Sequence, residues 1–528
     1  MNGTQRFVCA LAALTTVHIL APTGSFLAPA TELAVSAAPL NPTVSNVQVN
    51  QVFAGPFLRN RQVEPSLAQN PTNPLNLVAS SIDAIGQQDC TNTTPSTCTV
   101  SNIATAGFYA SFDGGLTWPC QGLLDLASAG YRGGADPVQA FDSRGTVYFA
   151  VIGGPIPSSA TRDQVVTGLG GDILVASSVD GGCTYGPVTN ISNDSPEMFD
   201  DKQAIAADAS PDSPYRDNVY AAWTSFALSA GQIVFTRSTN RGRTWSQPRP
   251  ISPANQHFNK GASEFRQGAA IKVGPDGTVY VAWMDAAAQR PAYMLAMSRD
   301  GGRSFSNPAA IVPVEDELIF QGGRTVFLPG TRFVQFGRVL PSLAIGSNGH
   351  LHVSWSEYTS GHAVVKFVTS ADGESWTPPQ IIADVPGRSA IFNALSTDGA
   401  SNVHLVFQAI DDVPPGTAPG AGVTSYATYY TRSVDNGLTF ASPVAISTAE
   451  SDPAASSSVS LLGQSIGDYI VTVSDGNHTY AVWTDSRNAS SCAAVDLYRT
   501  GLASKPNIIT LCPVEFGNTD IYLAIVGP

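Results

Sequence analysis

The stretch Ser298-Arg-Asp300-Gly-Gly302-Arg-Ser304-Phe305 decides how the rest of this chain is read. An Asp side chain hydrogen-bonds the backbone two residues further on, and Gly tolerates the positive φ of a tight turn, so Asp300 and Gly302 mark a hairpin. Ser304 and Phe305 then lead into a new strand. The pattern returns as Ser111-Phe-Asp113-Gly-Gly115-Leu-Thr117-Trp118, Ser178-Val-Asp180-Gly-Gly182-Cys-Thr184-Tyr185, Ser238-Thr-Asn240-Arg-Gly242-Arg-Thr244-Trp245 and Ser433-Val-Asp435-Asn-Gly437-Leu-Thr439-Phe440. A shorter copy, Ser370-Ala-Asp372-Gly-Glu-Ser375-Trp376, completes a set of six, spaced 60 to 72 residues apart. A period of that size signals a repeat architecture.

Strand-like sequence precedes each copy, as in Gly231-Gln-Ile-Val-Phe-Thr236, and a Pro-containing strand follows, as in Ser306-Asn-Pro-Ala-Ala-Ile311. The turn therefore belongs to the outer half of a four-stranded unit. A second repeat lies between the copies: an apolar strand, a Gly or Asn turn, and a strand often ending in Trp, as from Ala269 to Trp283 and from Pro341 to Trp355. A seventh such hairpin, Tyr469 to Trp483, is followed by Val495-Asp-Leu-Tyr-Arg-Thr500 and has no copy of the turn. Seven inner hairpins against six turns predict an all-β propeller of seven four-stranded blades, with six as the alternative count. Radial repetition of this kind protects sheet edges. Val44 to Phe53 is expected to complete the last blade beside the C-terminus.

The six turns resemble the Asp box, or BNR repeat, of the sialidase (neuraminidase) superfamily. The resemblance implies an Asp-box β-propeller over nearly the whole mature chain, and a structural role for the Asp residues of the turns.

The gross composition bounds what this scaffold does. Gly (48) and Pro (37) are abundant and charged residues are only 13%, which suits short strands and many turns. A net charge of −14 argues against nucleic acid as a partner, because phosphate contacts need clustered Lys and Arg. Residues 1–30 read as a secretory signal, with Arg6, an apolar run from Phe7 to Leu20 and a cleavage site at Ala28-Pro29-Ala30; an N-terminal membrane anchor is the alternative. Residues 31–43 then form a linker and 44–528 the propeller, secreted or held at the cell surface, with no transmembrane span in the mature chain and a monomer expected. Six Cys remain after the signal, an even number that suits disulfides. Cys90 with Cys98 and Cys492 with Cys512 are the expected pairs. No His or Cys spacing indicates a metal, and no phosphate or dinucleotide fingerprint indicates a cofactor.

The innermost strand of each blade lines a propeller's channel. Aligned on their apolar runs, the seven inner strands place Glu64, Asp136, Lys202, Gly268, Leu340, Ala390 and Asp468 at one position. Two residues earlier stand Gln62, Gly134, Asp200, Arg266, Arg338, Arg388 and Ile466, expected on the same face because side chains alternate with period two. Arg266, Arg338 and Arg388 are then candidate ligands for a carboxylate, with Asp200 and Lys202 beside them. Glu64, Asp136, Asp468 and Tyr469 are the candidate catalytic groups for acid–base work on a glycosidic bond. The arrangement resembles the sialidase site, which uses an Arg triad, an acidic general acid and a Tyr nucleophile activated by Glu. It implies an exo-acting glycoside hydrolase on glycans ending in an acidic sugar. The chain departs from that pattern where sialidases carry Arg-Ile-Pro, having Val63-Glu64-Pro65 instead. The alternatives are a non-catalytic extracellular propeller that binds glycan or protein, and arginines that close the ring as ion pairs with Asp200, Asp136 and Glu64.

Overall fold

The structure is a computed structural model that describes residues 39–51, 61–85, 105–155, 171–192, 199–226, 231–253, 266–286, 290–320, 327–414, 417, 424–457 and 461–527. The signal segment, Cys90 and Cys98 lie outside the described residues. Ser36–Pro528 forms one compact unit.

Seven four-stranded sheets follow one another along the chain, six of them built from consecutive strands ordered inner to outer. Blade 4 shows the plan: Arg266–Val273, Val279–Asp285, Ala292–Ser298 and Ala309–Pro313, all antiparallel. Blade 7 is closed by both ends of the chain. Its inner strands are Val471–Ser474 and Thr479–Asp485, its third is Asp520–Val526, and its outer strand is Val44–Gln48 from the N-terminus. The strand expected over Val44 to Phe53 takes that place over Val44–Gln48, and residues 52 and 53 lie outside the described residues. The segment Val495–Thr500 that follows the Tyr469–Trp483 hairpin is not a strand. It falls within and just after the helix Ala493–Arg499, part of an insertion stapled by Cys492–Cys512, and the blade's third strand comes later in the chain.

The six turns are built alike. In the first, Gly115 N and Thr117 N donate to Ser111 Oγ (2.8 Å) and Asp113 Oδ1 (2.9 Å), and Thr117 Oγ1 donates to Asp113 Oδ2 (2.6 Å). Asp180, Asp300, Asp372 and Asp435 accept equivalent bonds, and Asn240 does so with its amide. Against the upward pull of burial, donors from Ser304, Ser298 and the Arg303 backbone hold the Asp300 carboxyl at about 2. Gly302 shows why the turn needs glycine: φ is +78°, and a Cβ would lie 2.8 Å from Phe235 of the preceding blade. The aromatic after each turn wedges into the layer between its own blade and the one before. Trp118 packs with Tyr480, Val482 and Leu523 of blade 7, and so helps to close the ring. Trp223, Trp283, Trp355 and Trp483, ends of second strands, are fully buried between blades, and each such burial stabilises the fold by on the order of 2 kcal/mol.

A second disulfide, Cys120–Cys183, joins the outer strand of blade 1 to the turn of blade 2. No helix among the described residues is long and apolar enough to cross a membrane.

Candidate functional site

In blade 4, Val273 pairs with Val279 and Val279 with Ser298, so the inner hairpin turn and the Ser–Asp turn share one end of the blade. Arg266, paired with Asp285, begins the inner strand at the opposite end. The candidate residues gather at that opposite end, where each inner strand enters the ring.

Just inside this entry the ladder slips. The register shifts between Val63 and Ser66, Ala135 and Val138, Asp201 and Ala204, and Gln267 and Ala270. The shift in blade 4 sets three steps on the inner strand against two on its partner, a β-bulge. The residues in the bulges are Glu64, Asp136, Lys202 and Gly268, all with positive φ (57°, 51°, 51° and 75°). The alternation assumed from sequence therefore breaks here. Residues two apart across the bulge do not share a face, and the two aligned rows of candidates part company.

The bulge row converges. Lys202 Nζ lies 2.8 Å from Asp468 Oδ2, 3.0 Å from Asp136 Oδ2 and 3.8 Å from Glu64 Oε1, and 5.2 Å from the centre of the Tyr469 ring. These four blades, 7, 1, 2 and 3, are consecutive round the ring. Asp468 is carried inward by a strap: Arg332–Val334 pairs with Gln464, and the backbone at Gly337 is so close that a Cβ there would sit 1.8 Å from the Asp468 carbonyl oxygen. Lys202 and Glu64 are more than nine-tenths buried, while Asp468 and Tyr469 reach the channel in part. Asp201 joins the cluster in the place the sequence had given to Asp200, and Gln267 Nε2 donates to its Oδ2. Asp200 is fully buried, and its backbone N–H donates to Gly171 O at 3.1 Å. The bulge was the missing signal. Lys202 at positive φ marks it, but nothing in the local composition does.

One ammonium among four carboxyl groups sorts their protons. Burial and then the neighbouring Asp136 push the Glu64 carboxyl well above its usual range. Burial would raise Asp136 as well, but Lys202 and a hydrogen bond with Glu64 hold it below its usual range. Burial, then Asp136, lifts Asp201 to about 7. Burial opposes the charge on Lys202, but Asp136, Asp468, Glu64 and Asp201 raise it well above the ordinary lysine range. Burial followed by Asp136 and Glu64 keeps the Tyr469 phenol protonated, and its hydroxyl has no hydrogen-bond partner among the described residues.

The arginine row does not join this cluster. Arg266 pairs with Asp285 of its own blade at 2.8 Å. Arg338, fully buried in the turn Phe336–Val339, is held by Asp316 and donates to Gln335 Oε1 at 2.6 Å. Arg388 pairs with Asp411 at 3.0 Å and with Glu450 at 3.0 and 3.1 Å, on a more open rim. The arginines form ion pairs, but with Asp285, Asp316, Asp411 and Glu450 rather than with Glu64, Asp136 and Asp200. Arg487 and Asp485 close the end of blade 7 at 2.7 Å.

Below the cluster a cavity of about 240 Å³ follows the axis, lined from Asp136, Lys202, Asp468 and Tyr469 down to Lys272 and Thr472. No group of three or more His, Cys, Asp or Glu among the described residues has the geometry to hold a metal ion.

The chain's own topology defines the class: a seven-bladed propeller with a charged axial mouth. No family profile matches the chain, and no curated protein does. Among solved structures it is similar to the leech intramolecular trans-sialidase complexed with 2,7-anhydro-Neu5Ac, at 12% identity over 68% of this chain and 67% of that one (TM-score 0.42). It is also similar to an ulvan lyase, a polysaccharide lyase, at 12% identity over 83% and 93% of the two chains (TM-score 0.46). A protein of unknown function from Dyadobacter fermentans covers more, 92% of this chain and 99% of its own, at 13% identity (TM-score 0.43).

Proposed function

We propose that the chain is an exported carbohydrate-active propeller, a glycoside hydrolase that cleaves a terminal sugar at the axial mouth. The observation that carries this reading is the strained bulge. A non-glycine residue in the left-handed region costs about 1–2 kcal/mol, and Gly268 shows that glycine serves the same position in blade 4. Glu64, Asp136 and Lys202 keep ionisable side chains there at that cost, and strain retained in this way concentrates at functional sites.

The opposite displacement of the two carboxyls supports a division of roles. Glu64, protonated, is the general acid to the leaving oxygen. Asp136, ionised, faces the positive charge that develops on the sugar, as the two carboxyls of a glycosidase divide acid from base. Lys202 fixes both, and the free Tyr469 hydroxyl and Asp468 complete the floor toward the cavity. A terminal acidic sugar is the finer reading. Its carboxylate would take the place of Glu450 on Arg388, the arginine on the open rim. Export is supported by Cys120–Cys183 and Cys492–Cys512.

The second reading, a propeller that binds glycan without cleaving it, is favoured by the internal pairing of Arg266, Arg338 and Arg388. Incubating the mature protein with fluorogenic sialosides and a panel of uronic-acid and neutral glycosides separates the two. Turnover that Glu64→Gln abolishes, with the far-UV spectrum unchanged, supports the hydrolase. Binding of a glycan without turnover of any member moves the assignment to the second reading.

A further inference from the structure

From Asn218 to Ser263 the sequence runs for 46 residues without an Asp or Glu, the longest such run in the chain, and it carries Arg237, Arg241, Arg243 and Arg249. Its turn is the one copy of the six with Asn, at Asn240, where the others have Asp. Blade 3 thus has a basic outer half in a chain of net charge −14. Arg241 is paired with Asp142 at 2.9 Å, but the seam between blades 3 and 4 gathers charge that is not paired. Arg237 Nη1 donates to Gly301 O, and Arg249 Nη2 donates to Gly302 O at 2.9 Å, so two guanidiniums are held on consecutive carbonyls of the blade 4 turn. The Arg249 guanidinium also stands 5.7 Å from the centre of the Phe305 ring. Arg299 and Arg303 belong to the same turn and are exposed. Four arginines therefore meet at one turn, two anchored on it and two rising from it.

Capping these carbonyls does not require charge. In other seams neutral amides do it: Asn76 Nδ2 donates to Gly181 O at 3.0 Å, and Gln380 Nε2 donates to Gly437 O at 2.7 Å. Strand register places Gly122, Thr189, Ala309, Gln380 and Val444 where blade 3 has Arg249. Phe112, Val179, Thr239, Ala371 and Val434 stand where blade 4 has Arg299. A guanidinium has five N–H donors, so one bond to a carbonyl leaves four. None of the four arginines makes an ion pair among the described residues. The nearby carboxylates are engaged locally: Asp300 accepts from Ser298, Ser304 and the Arg303 backbone, and Asp276 accepts from the Thr278 backbone and hydroxyl.

We propose that the seam between blades 3 and 4 is a docking surface for an acidic polysaccharide, whose carboxylate or sulfate groups take the free N–H donors of Arg237, Arg249, Arg299 and Arg303. Guanidinium matches such groups with paired, charge-assisted hydrogen bonds. A bilayer is disfavoured because the exposed apolar residues of the turns, Phe112, Leu116, Val179, Val434 and Leu438, all lie in blades 1, 2 and 6, which leaves this seam without an apolar anchor. A nucleic acid is disfavoured because its phosphates are more densely spaced than the charges of an acidic polysaccharide and meet more repulsion from the chain's net charge. The surface lies at the end of the blades opposite the mouth and does not depend on cleavage there.

The test is fluorescence anisotropy of the mature protein with labelled polygalacturonate, dextran sulfate, neutral dextran and duplex DNA, with co-sedimentation on phosphatidylglycerol vesicles beside it. Saturable binding of an acidic polysaccharide at low salt, weakened by added salt and absent with neutral dextran, supports the surface. Polygalacturonate and dextran sulfate bound alike means that charge alone is read; one bound without the other identifies the carboxylate or the sulfate. Arg237→Gln with Arg249→Gln keeps amides that can cap the turn, as Asn76 and Gln380 do, and should weaken binding by about tenfold. Arg299→Gln with Arg303→Gln alters only exposed side chains, so the ring stays folded, and should weaken binding to a similar degree. Arg432→Gln, at the position of Arg237 in blade 6, should leave it unchanged. No binding of either acidic polysaccharide, binding that both arginine pairs leave unchanged, or tighter binding of DNA or vesicles overturns the proposal.

Discussion

Replacing Lys202 with Met keeps the unbranched stem and deletes the charge, and the geometry around the ammonium sets the cost. The ammonium stands 2.8 Å from Asp468 and 3.0 Å from Asp136, in a site more than nine-tenths buried. Removing one partner of a buried ion pair destabilises by about 3–5 kcal/mol, because the other charge is left in a poorly solvating medium. Here two carboxylates lose their partner, with Glu64 and Asp201 beside them, so the upper half of that range is expected at pH 8. The sign of the pH dependence comes from the folded state. The Lys202 ammonium is raised above its unfolded value, so its contribution is complete throughout the neutral range and is lost only at strongly alkaline pH. Without it, Asp136 loses the influence that holds it down and takes up a proton on folding. The variant therefore regains stability as pH falls, and its deficit at pH 5 is clearly smaller than at pH 8. Guanidinium unfolding followed by tryptophan fluorescence at both pH values measures this, with Lys202→Arg as the charge-conserving comparison. A Lys202→Met midpoint equal to the parent's at pH 8, or a deficit independent of pH, would refute the reasoning.

Asp201 makes the cluster respond to pH in the parent protein. Its folded value of about 7 lies above the unfolded one, so its stabilisation is present at low pH and is lost as pH rises through 7; the unfolding midpoint of Asp201→Asn should change less between pH 4 and 8 than the parent's. Loop-closure entropy assigns about 4 kcal/mol to Cys120–Cys183, whose residues are 63 apart, and about 3 kcal/mol to Cys492–Cys512, which are 20 apart. Paired Cys→Ser variants ranked by denaturant midpoint check that order, and the reverse ranking would count against it. Asp435→Ala removes acceptors from Ser433, the Thr439 backbone and the Thr439 hydroxyl, so thermal unfolding should show a loss of about 1–2 kcal/mol, with the proposed activity at the opposite end of the blades unchanged.

The scaffold was legible because its determinants are local. A Ser, an Asp or Asn, a Gly and a Thr or Ser within seven residues supply the hydrogen bonds of each turn, so six copies could be read without any knowledge of distant contacts. The closing strand Val44–Gln48 was legible for a similar reason, as an orphan strand with one vacant blade edge to fill. The insertion in blade 7 was not. Its helix Ala493–Arg499 is held through Arg499, whose guanidinium donates to the carbonyls of Leu461, Ala454, Ser456 and Gly463, and contacts of that range leave no periodic trace. Nor was Cys120–Cys183, which depends on two blades lying side by side.

The site divides in the same way, and a single backbone feature explains the division. Aligning the inner strands found Glu64, Asp136, Lys202 and Asp468, because an apolar run fixes that position in every blade. It then misplaced their neighbours, because a period of two holds only while the ladder is regular. One extra residue per bulge reverses the parity of everything before it. Asp201 is thereby turned into the cluster in place of Asp200, and Arg266 is left facing Asp285 in its own blade. The bulge also lets residues from four blades reach one point, since a left-handed residue redirects its side chain out of the sheet's alternation. Glycine would form that bulge with less strain and would bring nothing to the axis. The three side chains retained at Glu64, Asp136 and Lys202 are therefore a stronger pointer to chemistry at the mouth than the row of arginines, each of which already has a carboxylate of its own.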